Sequence, residues 1–258
     1  MGHLFNTFLI QPLLNLLIVV YNGIVPDLGV AIILVTLLIR FVLLPLFYKS
    51  AKDQTVIQKY VTPKIKELQQ KHKDDKERQV KEMMAVYKEH KVSPFSGFLL
   101  IIIQLPILIA LYRVFLMDFS KNLSSQLYSF VAAPSVIHTS FLGLVDLGAK
   151  NFLLVAIAAV FQYLQSKLLF TINKNNKTAS KGPTKGQAAM MEAMAKNMVF
   201  LGPLFTLLIL SQFPSAVALY WMTTSVFSVI QQVIINRQLE KNERSKTIVG
   251  DTHLPDGV

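Results

Sequence analysis

The chain has no cysteine among its 258 residues. Disulfides, thiolate metal sites, thiol nucleophiles and Cys-linked lipid anchors are therefore excluded. Charge is scarce too, at 16% of positions against 52% hydrophobic, with a mean hydropathy of +0.45. That scarcity is uneven. The long apolar stretches hold no Asp, Glu or His at all, so acid–base catalysis, carboxylate metal binding and carboxylate proton relays within them lack their chemical groups. His3, His72, His90, His138 and His253 are scattered, without the HExxH type of spacing, and no Gly-rich phosphate loop is present. A Ser–Lys dyad would need a lysine deep in an apolar segment, and none lies there. The first charged residue is Asp27, so no positive n-region precedes the apolar N-terminal segment, and neither a cleavable signal peptide nor an Arg-rich transit peptide is expected. The expectation is a protein that is not an enzyme and needs no metal or cofactor.

What is present is a series of apolar runs separated by polar connections, the composition of a polytopic membrane protein. Residues 28–48, 95–117, 151–170, 197–213 and 216–235 read as five spans, the fourth at the lower limit of length for crossing. The formal net charge is +11, but its distribution argues against nucleic acid as the primary partner. Residues 49–91 carry twelve Lys/Arg and seven Asp/Glu, residues 167–196 six Lys and one Glu, and residues 118–150 two of each sign. Basic connections alternating with a neutral one are the positive-inside pattern. They place the N-terminus outside, the hairpin at 51–92 and the loop at 171–196 in the cytoplasm, the connection at 118–150 outside, and the tail at 236–258 in the cytoplasm.

Two segments have more local character. In residues 4–22, Thr7, Gln11, Asn15 and Asn22 share one arc at 100° per residue while apolar side chains fill the rest, which reads as an interfacial amphipathic helix. A short extra span is the competing reading, and charge does not separate the two. In residues 51–92, Val56, Ile57, Tyr60, Val61, Ile65 and Leu68 recur at helical spacing, as do Val80, Met83, Met84 and Tyr87. Lys73-Asp74-Asp75-Lys76 divides the runs, so a helical hairpin is expected with one apolar stripe per helix.

Arg40 is the anomaly. About twelve residues precede it in the run at 28–48 and eight follow, so it sits near mid-depth. A charge there costs roughly 2.5–3.5 kcal/mol on insertion-type scales, and is kept mainly where it faces a bundle interior or a water-filled cavity. Thr36 shares its helical face. Gln104 falls at similar depth in the second span, and Gln162 and Gln165 in the inner half of the third. Tyr220, Thr224, Ser228 and Gln231 form a stripe down the fifth. These groups are expected to line a groove closed toward the outside and open to the cytoplasm. Each has an ordinary alternative: a Ser or Thr bonding its own helix, or a Gln acting as interhelical glue worth about 0.6 kcal/mol. A small-anion transporter or channel using Arg40 as its anion site is the rival functional reading.

The chain resembles the YidC/Oxa/Albino family of membrane protein insertases. The residues that carry the resemblance are Pro12-Leu13, Gly29-Val-Ala-Ile-Ile, Thr36-Leu-Leu-Ile-Arg40, Pro45-Leu46 and Tyr87-Lys-Glu-His-Lys-Val-Ser-Pro94 with Gly97. Gln104-Leu-Pro106, Leu111-Tyr112, Leu219-Tyr220-Trp221 and Gln231-Gln232 complete it. The resemblance implies an all-α, five-span bundle in the bacterial cytoplasmic membrane that inserts nascent membrane proteins. It implies that Arg40 lies in a hydrated groove of the inner leaflet, that clients contact the third and fifth spans, with Tyr220 and Thr224 carried over, and that the hairpin at 51–92 serves activity. The implied partners are nascent clients and lipid, with the Sec translocon, the signal recognition particle receptor and the ribosome as further ones. The chain departs from family members that carry an extra span and a large periplasmic domain, from lipoprotein members, and from members with a long basic tail; here the tail holds four basic and four acidic residues, which argues against that ribosome contact.

Overall fold

The computed structural model describes residues 2–117, 119–170 and 199–251. The loop expected at 171–196 and the Met190, Met194 and Met198 row lie outside them. The protein is an all-α membrane protein, with one two-stranded ribbon among its described residues.

Helix α1 runs Gly2–Gly23 and is long and apolar enough to cross a membrane. A π-turn occupies Asn6–Ile10 just before Pro12. Proline has no N–H and crowds the preceding turn, and a widened turn accommodates both effects. Part of the polar arc of α1 is turned onto protein, while Thr7 is exposed. Asn15 is buried; its amide donates to Gln11 O at 2.8 Å and to Gln126 O at 3.0 Å, and its carbonyl accepts from Tyr128 N at 2.7 Å. Asn22 donates to Ala132 O at 2.8 Å. Asn15 and Asn22 of that arc thus bind the backbone of the connection after the second span, and Leu14, Leu17 and Ile18, within or beside the same arc, pack into the core.

Helix α2, Leu28–Val42, starts at a double-duty cap: Asp27 accepts from Val30 N at 2.9 Å through one oxygen and from Leu142 N at 2.6 Å through the other. The apolar run at 28–48 is not one straight helix. It breaks at Leu43, and α3, Leu44–Lys71, leaves at 72° with Pro45 in its first turn. Pro45 lacks the N–H a continuous helix would need and suits a helix start. Helix α3 continues without interruption into the charged hairpin, through a second π-turn at Ile57–Val61 just before Pro63. Helix α4, Lys76–Glu89, is capped by Asp75 and folds back on it. Lys64–Glu89 at 2.8 Å and His72–Glu82 at 2.9 Å bridge the two helices, and Gln79 donates to Gln69 O at 3.2 Å.

Helix α5, Ser96–Phe115, spans with Pro106 inside it, and α6, Phe119–Gln126, follows. Strands β1, Ser140–Phe141, and β2, Val145–Asp146, pair antiparallel. Helix α7, Phe152–Phe170, packs most extensively on α9, Ser215–Asp251; α9 also contacts α2, α3 and α5. Helix α8 is described over Val199–Leu210. It lies on α7 where Gly202 meets Gln162 and where Tyr163 stacks on Phe200 at 5.4 Å. The chain is therefore a multi-pass protein: α1, α5, α7 and α9 each qualify as spans, and the bent α2–α3 pair qualifies as a fifth when taken together.

The ribbon ties the first turns of α2 and α9. Phe141 covers Gly29 so closely that a Cβ there would fall 2.2 Å from its ring. Ser215 donates to Ala149 O from its N–H at 2.8 Å and its hydroxyl at 2.6 Å, and Ala216 N donates to Leu147 O at 3.0 Å. The first amides of α9 are thereby satisfied.

Two stability tests follow from this packing. Gly29→Ala should lower the melting temperature in detergent, with overpacking of this kind costing about 1–3 kcal/mol, and Phe141→Ala added to it should restore part of the loss; an unchanged melt of Gly29→Ala would contradict the contact. In the hairpin, the hydrogen bond from Arg78, helped by His72, holds the Glu82 carboxyl below its ordinary range. Stability from this group is present above the ordinary glutamate pKa of about 4.3 and is lost as pH falls through its lower folded value. Amide exchange at the α3–α4 tip should accelerate on acidification through that window, and Glu82→Gln should blunt the change.

Candidate functional site

Arg40 lies in the last turn of α2, two residues before the helix ends, with 8% of its surface exposed. Depth counted along a straight helix does not describe it, because the chain turns at Leu43. The turn folds Phe47 of α3 over the guanidinium, whose carbon sits 4.3 Å from the ring centroid, a cation–π contact strengthened by burial. Arg40 Nη2 donates to Gln104 Oε1 at 3.4 Å, and the Gln104 amide donates to the Tyr220 hydroxyl. One chain of hydrogen bonds thus joins α2, α5 and α9. Among the described residues no carboxylate lies within ion-pair distance of Arg40.

Beside this chain is a half-open cavity of about 490 Å³. Arg40, Gln104, Gln162, Gln165, Thr224, Ser225 and Ser228 supply its polar lining, and Phe47, Leu105, Phe205 and Trp221 its apolar walls. Six helices contribute: α2, α3, α5, α7 and α9, and α8 through Phe205. Ser225 donates to Gln162 Oε1 at 3.3 Å and so joins α9 to α7. The Trp221 indole N–H is buried with no hydrogen-bond partner among the described residues. Such a group costs free energy until something accepts from it, and this one belongs to a cavity wall.

Six of the nine residues singled out from sequence meet at the cavity: Arg40, Gln104, Gln162, Gln165, Thr224 and Ser228. Thr224 also donates to Trp221 O at 2.8 Å, within its own helix. Tyr220 is buried behind the lining and acts on it through Gln104. Thr36 and Gln231 are not in the lining. The Thr36 hydroxyl donates to Ile32 O at 2.6 Å one turn back, the ordinary behaviour of a threonine inside an apolar helix. Gln231 is buried, and its carbonyl oxygen has no hydrogen-bond partner among the described residues.

Sequence reasoning missed Phe47, Ser225 and the cavity role of Trp221. Ser225 stands one residue off the stripe at 220, 224, 228 and 231, and the bend that brings in Phe47 had only Pro45 as its signal. A second polar cluster lies further along α9. Buried Gln232 donates to Thr55 Oγ1 at 2.8 Å and to Asn236 Oδ1 at 2.9 Å, and Asn236 donates to Leu168 O at 3.2 Å. Gln231-Gln232 gave this signal in sequence, but its partners on α3 and α7 are more than sixty residues away.

These features define a class: a multi-pass helical membrane protein whose spans surround a polar, half-open cavity holding an arginine without a countercharge. The chain belongs to the YidC/Oxa/Albino family, since the model of the family described as 60Kd inner membrane protein matches residues 20–243. It is similar to proteins named membrane protein insertase YidC: 33% identical over 91% of this chain to that of Haemophilus ducreyi, 34% over 90% to that of Magnetococcus marinus, and 34% over 86% to that of Francisella philomiragia. The matched region is 38%, 36% and 35% of those relatives' own lengths, so the chain spans a little over a third of each.

The cavity is directly testable because the chain has no native cysteine. Thr224→Cys and Ser228→Cys, in folded protein in vesicles, should react with a water-soluble thiol reagent far faster than Leu14→Cys, whose position is fully buried. Protection of both cavity positions to the level of Leu14→Cys would mean the cavity is closed to water.

Proposed function

We propose that this protein inserts nascent membrane proteins, passing short polar segments of its clients through the Arg40 cavity and releasing their apolar helices into lipid. The observation that carries this reading is the half-open cavity bearing a buried arginine with no carboxylate partner. The similarity to proteins named membrane protein insertase YidC supports it.

The physical task is to move a polar segment through about 30 Å of hydrocarbon. A wet cavity removes part of that path from the low-dielectric region. Arg40 attracts an acidic residue of the client, offsetting some of its desolvation, while Gln104, Gln162, Thr224, Ser225 and Ser228 offer hydrogen bonds in place of water. Tyr220 and Gln104 hold the guanidinium in position. The client's apolar helix leaves toward lipid, driven by its own burial. The short apolar run at 197–213 favours a locally thinned bilayer. No nucleotide takes part; client partitioning and membrane potential supply the driving force.

In this reading the N-terminus faces outside and the basic α3–α4 hairpin lies in the cytoplasm, as positive-inside charge requires. The cavity then opens on the cytoplasmic side, and its clients and the bilayer are the primary partners. The hairpin and the end of α9 are the surfaces available to a translocon, a signal recognition particle receptor or a ribosome.

Arg40→Ala should slow insertion of a client with an acidic translocated segment by about tenfold, the equivalent of roughly 1.4 kcal/mol on the barrier, and leave a client with a neutral segment nearly unaffected. Arg40→Lys should retain most of the activity. The measurement is protease protection of clients in reconstituted vesicles, with thermal melts to establish that each variant is folded. Equal insertion of the acidic client by Ala variant and parent would sink charge attraction. Anion flux through the vesicles, without insertion, would favour the transporter reading instead.

A further inference from the structure

The ribbon between α6 and α7 has a turn that the function above leaves unused. Its sequence from Thr139 to Val145 has no charged residue, and its tip is Leu142-Gly143-Leu144. The ribbon's other apolar residues turn inward: Phe141 onto Gly29, and Val145 and Leu147 with the core. The two leucines at the tip do the opposite. Leu142 is 61% exposed and Leu144 85%.

The level of the tip along the spans is fixed at two places. Leu142 N–H is held by Asp27, the residue capping the first turn of α2. At the base, Leu147 and Ala149 accept from the first residues of α9. The tip therefore cannot stand off as a free loop. It lies level with the points where α2 and α9 begin. Ile24 and Val25, 64% and 39% exposed, sit at that level just before Asp27. At the start of α7, Phe152 and Leu153 are also exposed. A single exposed leucine needs no explanation. Several exposed apolar residues held at one level, continuous with the lipid-facing ends of spans, do need one.

We infer that the Leu142–Leu144 tip, with Ile24 and Val25 beside it, is a membrane-docking surface that seats in the boundary between lipid headgroups and acyl chains. The occupant is lipid, because the tip is pinned at the bilayer margin and carries no charge for a polar partner. Asp27 has both oxygens engaged by backbone amides, so it does not oppose entry of the turn with an unsatisfied carboxylate. A docked tip fixes the height of the ribbon, and through it the first turns of α2 and α9, the helices that further along carry Arg40 and the Thr224–Ser228 face. The inference holds for either orientation of the chain and does not depend on client insertion.

The test uses single cysteines in the otherwise Cys-free chain. Leu144→Cys, and separately Leu142→Cys, carry an environment-sensitive fluorophore in protein reconstituted into vesicles of phosphatidylethanolamine and phosphatidylglycerol. Leu153→Cys serves as the lipid-facing reference and Lys73→Cys, at the tip of the charged hairpin, as the aqueous one. The expected result is a shift to shorter wavelength and a loss of intensity with lipids spin-labelled near the headgroup, resembling Leu153→Cys. Emission and quenching like those of Lys73→Cys at both tip positions would overturn the inference. A shift to shorter wavelength without quenching by labelled lipid would overturn it too, since it would mean that protein covers the tip.

Discussion

The rest of the structure turns on one constraint: a guanidinium is held inside an apolar bundle whose described residues offer it no carboxylate. Gln104 gives it a neutral acceptor and Phe47 a π-face, and neither cancels its charge. The bend at Leu43, the placement of Gln104 on α5 and the buried Tyr220 on α9 all serve to hold that cation in position. An ion pair would satisfy Arg40 and silence it. A hydrogen-bonded cation without a carboxylate partner keeps its charge unneutralised, which is the property the proposed function uses. A conserved-volume apolar replacement would relieve the burial cost and remove that charge.

The two ends of the bundle are built on opposite principles. Toward the ribbon, side chains such as Leu14, Leu17, Ile18, Ile32, Val35 and Leu219 are sealed from solvent. Backbone ends there are tied by Asp27, Asn15 and Ser215, so polar groups are consumed by protein. Toward the charged hairpin, amides and hydroxyls face a cavity and are only partly consumed. The sealed end gives the assembly its rigidity, while the cavity end keeps hydrogen-bonding capacity open.

Much of this was legible in the residues alone. A lone arginine in an apolar run, amides at similar depth on two other runs, and a hydroxyl stripe at helical spacing named six of the polar residues that line the cavity. The reasons are local: depth follows from counting, and a shared face from spacings of three and four. What escaped was set by partners distant in sequence. The arc of Asn15 and Asn22 has the pattern of a water-facing surface, and only folding shows that backbone carbonyls of 126–132 take water's place. Proline 45 marked a disturbance, but a proline is also compatible with a continuing, kinked helix, so the 72° turn was not readable from it. The fifth span was expected to give way to a tail at 236, yet α9 remains helical to Asp251, since its charged half breaks no helical rule.

That unbroken α9 has a mechanical consequence. It is 37 residues long, about 55 Å at 1.5 Å per residue, clamped at its first residue by Ala149 and gripped further on by Thr55 and Leu168. Between those grips lies the cavity wall, and beyond them the helix projects toward the basic end of the molecule. A stiff rod held at two points cannot tilt at one end without moving the segment between. Anything that takes hold of the projecting end therefore has leverage on the cavity wall itself, with no hinge to absorb the displacement.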